Sequence, residues 1–141
     1  MDPLSITASV IAIVQLTGTI IQYLSDVENA PKECQKCTIE ASNLLNLLVN
    51  VRYRLEQGEP SDPCFTAVRA LAVTNGPLDQ YKHALEQLQS KVAPADGIHK
   101  IKRALVWKFS KPEVADILAR MERLKSLIGL TLEMDHLWVI S

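Results

Sequence analysis

Residues 3–25 read PLSITASVIAIVQLTGTIIQYLS, and no charged side chain interrupts them. On a helical wheel of about 100° per residue the run splits into two halves. Ile6, Val10, Ile13, Val14, Leu16, Ile20, Ile21, Leu24 and Val27 fall on one half. Ser5, Thr7, Ala8, Ala12, Gln15, Gly18, Thr19, Gln22 and Ser25 fall on the other, with Ile11 as the main apolar intruder. The pattern predicts a helix over 4–27, and three fates suit such a helix: a secretory signal, a membrane span, or a core element of a soluble bundle.

A signal peptide opens on basic residues and closes on a small-residue cleavage site. Here Asp2 precedes the apolar run and the first basic residue is Lys32. A membrane span has the right length at about 20 residues, but Ser, Thr and Gln occupy many positions and neither flank is basic. A core helix accounts for the apolar half. It leaves the other half unexplained, because a solvent face ordinarily carries Lys, Glu or Arg. Either neighbouring helices cover this face, or it stays uncharged because it enters lipid or packs on copies of itself.

The rest of the chain supplies bundle partners. Helix two is predicted from about Pro31 to Gly58, with Cys34, Cys37, Ala41, Leu44, Leu48, Val51 and Leu55 as its seam. That alternation of three and four suits antiparallel packing. Leu45, Leu47 and Val49 widen its apolar face, so cover on more than one side is expected. Asp62-Pro63 opens a third helix with Asp62 as N-cap, and TNGP at 74–77 breaks or kinks it. Leu78, Tyr81, Leu85, Leu88 and Val92 resume the pattern until APADG at 93–97. A short basic helix is expected over 98–107. Ser110 and Glu113 then have capping-box spacing around Pro112. The last helix carries Val114, Ile117, Leu118, Met121, Leu124, Ile128 and Leu132. The expected fold is an all-α bundle of four to five main helices in one domain, residues 1–141. Leu, Ile, Val and Ala dominate over two Trp, three Tyr, two Phe and five Gly, in keeping with packed helices.

Composition narrows function. The formal net charge is −1, and no base-reading motif appears, so nucleic acid is not an expected partner. Three cysteines, Cys34, Cys37 and Cys64, do not make a disulfide framework and suit a reducing compartment. The CxxC at 34–37 lacks a second metal-ligand pair and lacks a βαβ context, so it reads as small apolar residues on one helix face. There is no phosphate loop, GxSxG or HExxH, so neither an enzyme nor a cofactor is expected. Residues 98–111, IHKIKRALVWKFSK, place Lys100, Lys102, Arg103, Lys108 and Lys111 beside Trp107 and Phe109 without an acid. This suits an anionic lipid surface. It equally suits a solvated face whose aromatic residues plug the bundle end.

Two segments together resemble a known family. MDPLSITASVIAIVQLTGTIIQYLSDVENAPKE and RALVWKFSKPEVADILARMERLKSLIGLTLEMDHL resemble the two ends of the HeLo-like N-terminal domain of fungal NLR-like (STAND) proteins. They cover about half the chain in the expected order, although Lys108 stands where the family has proline. The resemblance implies a bundle akin to HeLo domains and to the executioner bundle of mammalian necroptosis. It implies a cytoplasmic domain that normally precedes a NACHT or NB-ARC module, no P-loop being present in this chain. On activation, copies of the domain cluster and move to the plasma membrane to execute cell death in heterokaryon incompatibility or innate immunity. Carried onto this chain, the membrane-inserting residues are Leu4, Ile6, Val10, Ile11, Ile13, Val14, Leu16, Ile20 and Ile21. Ser5, Ala8, Ala12, Gly18 and Thr19 would pack helix to helix. Lys100, Lys102, Arg103, Trp107, Lys108 and Lys111 would meet anionic lipid. A helical adaptor that never meets lipid, or a cover for a downstream NTPase, are the competing expectations.

Overall fold

A computed structural model describes residues 2–59, 61–92 and 107–140, with side chains for all of these except Val92 and 134–140. Five α-helices make up the described residues: α1 Pro3–Ser25, α2 Lys32–Gln57, α3 Pro63–Leu71, α4 Pro77–Val92 and α5 Lys111–Ile140. The expected basic helix lies outside the described residues except for its last member, Trp107, which is not helical.

Four long helices bury four seams of alternating three- and four-residue spacing. The α2 seam is the predicted one, all seven residues being buried. Ile6, Val10, Ile13, Thr17, Ile20 and Leu24 make the α1 seam. Leu78, Tyr81, Leu85 and Leu88 come from α4, and Val114, Ile117, Met121, Leu124 and Ile128 from α5. Both α1 and α5 pack against α2 and against α4, and α3 closes the bundle against α5, α1 and α2. Such seams supply the driving force, since burying one Leu or Ile contributes about 1.5–3 kcal/mol. Two ion pairs brace the outside: Lys125 with Glu40 at 2.9 Å joins α5 to α2, and Lys91 with Glu113 joins α4 to α5.

Local chemistry sets the helix ends. The first helix stops at Ser25, two residues earlier than its periodicity predicts, and the turn that follows uses Asn29 at φ 52°, a conformation Asn tolerates. Val27 is still buried, outside the helix. At Gly58 an added Cβ would lie 2.8 Å from the Arg54 carbonyl oxygen, so a side chain does not fit where α2 ends. The third helix already ends at Leu71, and across TNGP Asn75 takes φ 60°, so the chain is broken and not merely kinked before α4 restarts at Pro77. The capping box at α5 is present: Ser110 N–H donates to Glu113 Oε2 at 3.0 Å, and Glu113 N–H donates to Ser110 Oγ at 3.4 Å.

Two local expectations are corrected. Asp62 occupies the N-cap position of α3, but its carboxylate accepts from the Glu59 N–H instead of from its own helix. Leu45 and Leu47 are half-buried as a widened face requires, whereas Val49 is 46% exposed.

Candidate functional site

The first helix is built to start sharply. Asp2 is its N-cap and accepts from the Ser5 N–H at 2.7 Å, with Pro3 in the first turn. That backbone hydrogen bond holds the Asp2 carboxyl below the usual range. The Asp-Pro pair here is the signature also seen at 62–63, and it could have marked this cap from sequence.

The structure decides what becomes of the two faces. Ile6, Val10, Ile13 and Ile20 point into the core, and Val14, Leu16 and Ile21 are partly buried against it. Ile11 is half-buried, and Leu4 alone of the apolar set is open, at 84% exposure. Docked α1 therefore hides most of its apolar surface. On the opposite face Ser5, Ala8, Ala12, Gln15, Thr19, Gln22 and Ser25 are exposed, and Thr7 and Gly18 are half-buried. Cover by neighbouring helices is thus not the reason this face lacks charge. Gly18 makes the same point, since a Cβ added there would meet nothing within 4 Å. The bundle does not require glycine at that position.

Hydrogen bonding within α1 is largely internal. The hydroxyls of Thr7, Thr17, Thr19 and Ser25 donate to the carbonyls of Pro3, Ile13, Gln15 and Ile21, each four residues earlier. Those hydroxyls would keep their partners if the helix changed solvent, which lowers the cost of leaving water. By length and composition α1 is apolar enough to cross a membrane, a test that core helices and signal sequences also pass.

One buried contact escaped the sequence reading. Thr17 lies in the α1 seam, fully buried, with its Oγ1 2.9 Å from the Tyr81 hydroxyl of α4. Thr17 continues the spacing of Ile6, Val10 and Ile13, so the register of the seam points to it where residue type does not.

The predicted lipid-binding residues divide. Lys100, Lys102 and Arg103 lie outside the described residues. Lys108 and Lys111 are exposed, while Trp107 and Phe109 are half-buried against the core. Their rings lie 4.6 Å apart, and Lys91 Nζ sits 5.1 Å from the centre of the Phe109 ring. Lys91 also pairs with Glu113, and that contact, with the Ser110 N–H, holds the Glu113 carboxyl below its usual range. The aromatic pair thus packs where α4 ends and α5 begins.

Cys34, Cys37 and Cys64 are free and buried. Burial, reinforced by Cys34 and Glu40, pushes the Cys37 thiol up to about 12. Thiols in this environment are unreactive packing groups. Among the described residues no cluster of His, Cys, Asp and Glu is arranged to hold a metal ion.

No family model, curated protein or solved structure matches the chain. What defines it is an all-helical bundle with an apolar N-terminal helix whose outward face is free of charge.

Proposed function

We propose that the chain is a cell-death effector domain of the HeLo-like kind found in fungal NLR-like proteins, acting on membranes without catalysis. A NACHT or NB-ARC module of a longer protein brings copies together in the cytoplasm. The first helix leaves the bundle and enters the plasma membrane, turning its apolar half to lipid. Ser5, Ala8, Ala12, Gly18 and Thr19 then meet the same face of neighbouring copies. Lys108 and Lys111, with the basic residues before them, dock on anionic headgroups, each contributing about 1 kcal/mol.

The observation that carries this reading is the exposed, uncharged face of α1, which water does not ask for and the bundle does not cover. The two segments resembling the family give it direction. The test is dye release from anionic liposomes by the purified chain and by a Gln15→Glu, Thr19→Lys variant. Release by wild type and none by the variant supports membrane execution. No release by either, even when the chains are artificially clustered, removes it.

A second reading has its own observation. Gln35, Ile39, Ser42, Asn46, Val49 and Tyr53 repeat along α2 at alternating four- and three-residue spacing, without charge. Ile39 is 59% and Tyr53 62% exposed. Such a stripe suits a helical protein partner, as an adaptor would have. Unchanged exchange of α1 amides when liposomes are added, together with complex formation through α2, would favour the adaptor.

A further inference from the structure

The helices of the bundle are not held in the same way. Ion pairs brace α4 to α5 and α2 to α5. Nothing of the kind can brace α1, because Pro3–Ser25 contains no charged side chain. Its polar ties are of another sort. The Cys34 thiol reaches the Leu24 carbonyl at 3.8 Å, a weak contact. The Tyr81 hydroxyl reaches Thr17 at 2.9 Å.

The direction of the second bond follows from its surroundings. The Thr17 hydroxyl donates its one proton to the Ile13 carbonyl at 2.8 Å, so it must accept from Tyr81. Tyr81 is 0% exposed, and among the described residues Thr17 is the acceptor its hydroxyl has. A cleft of about 170 Å³ lies between α1 and the start of α4, lined by Ile13, Leu16 and Leu78 together with Ser9, Asp79 and Lys82, and the Thr17–Tyr81 pair is sealed away from it, both residues being fully buried.

We infer that the Thr17–Tyr81 hydroxyl pair is a latch that fixes α1 in the bundle and sets how readily it leaves. The inference rests on the release of α1 proposed above. Its asymmetry suits that purpose. When α1 departs, Thr17 keeps its bond to Ile13, and of the pair it is Tyr81, left behind on α4, that loses a partner. The released helix carries no newly unpaired hydroxyl from this site into lipid.

Hydrogen exchange read helix by helix, in water without lipid, tests the latch on the intact chain. Thr17→Val leaves the Tyr81 hydroxyl without an acceptor, and α1 amides should exchange about ten- to a hundredfold faster. Amides of α2 and α5 should keep their rates. Thr17→Ser, which retains the hydroxyl, should behave as wild type. Tyr81→Phe should open α1 less than Thr17→Val does, and the Thr17→Val, Tyr81→Phe pair should open it less than Thr17→Val alone. Equal acceleration in every helix, no acceleration, or a Thr17→Ser variant as open as Thr17→Val would overturn the latch. If Thr17→Val does not fold, Tyr81→Phe against Thr17→Ser carries the comparison. Dye release from phosphatidylserine–phosphatidylcholine vesicles separates the latch from the membrane reading. Selective opening of α1 with vesicles that stay sealed, even when the chains are artificially clustered, keeps the latch and removes membrane execution. Vesicle release by wild type and by every variant, with α1 exchange unmoved, keeps membrane execution and removes the latch.

Discussion

Charging the outward face of α1 should have opposite consequences in water and in lipid. Gln15 and Thr19 are exposed and one turn apart. The Gln15→Glu, Thr19→Lys variant places Glu four residues before Lys, the favourable order, worth about 0.3–0.5 kcal/mol on an exposed helix. The single bond lost is the Thr19 hydroxyl to the Gln15 carbonyl, itself exposed. For 141 residues the unfolding entropy is roughly 0.3 kcal/mol per degree. The melting temperature should therefore hold or rise by about 1–2 °C. At the bilayer centre each charged residue costs about 2.5–3.5 kcal/mol, so the pair should disfavour insertion by roughly 5–7 kcal/mol, about four powers of ten. Circular-dichroism melts read the first effect, and dye release at matched protein concentration reads the second. A fall of ten degrees or more would mean the face is covered in solution and the exposure reasoning is wrong. A stable variant that leaks like wild type would refute the link between the missing charge and lipid.

Gly18→Ala should stabilise the bundle by about 1 kcal/mol in urea unfolding, because the helix gains propensity and the added methyl meets no neighbour. Leu48→Ala, in the middle of the α2 seam, should cost about 2–5 kcal/mol in the same measurement. Ser110→Ala should cost about 1 kcal/mol through loss of one half of the capping box, while Ser110→Thr or Ser110→Asp should retain most of it. Stability should be flat near neutrality and fall at both extremes. The lowered Glu113 pKa gives stability present above its ordinary value of 4.5 and lost as pH falls through the folded value. The raised Cys37 pKa gives stability complete below its ordinary 9.0 and lost as pH climbs toward about 12, so Cys37→Ala should flatten the alkaline side in melts taken across pH.

Sequence carried the elements whose signal is periodic or capped. The α2 seam from Cys34 to Leu55 is buried residue for residue, because a three-four alternation of apolar side chains has one stable placement in a bundle. Ser110 and Glu113 likewise have a fixed reciprocal geometry, and they adopt it. What depends on distant partners was less legible. An uncharged face looks the same in sequence whether covered or bare, and the exposure of Ala8, Ala12 and Gln15 is set by where the other helices pack. Thr17 carries no apolar signal, although its register places it in the seam. The carboxylate of Asp62 takes the Glu59 N–H and none from its own helix, a choice that the Asp-Pro spacing alone does not encode. TNGP allows a kink or a break, and the structure has the break, with α3 ending at Leu71 and Asn75 left-handed in the turn before α4.

Two of the three buried thiols, Cys34 and Cys64, turn the bundle into its own clock. Cys34 is covered where its sulfur meets the end of α1, and Cys64 lies in α3, so different motions uncover them. A thiol regains ordinary reactivity only when it reaches water. Departure of α1 should therefore set the pace at which an alkylating reagent finds Cys34, while Cys64 keeps time for α3. The chain carries these two hands natively, so the order in which its helices part can be timed without adding any label.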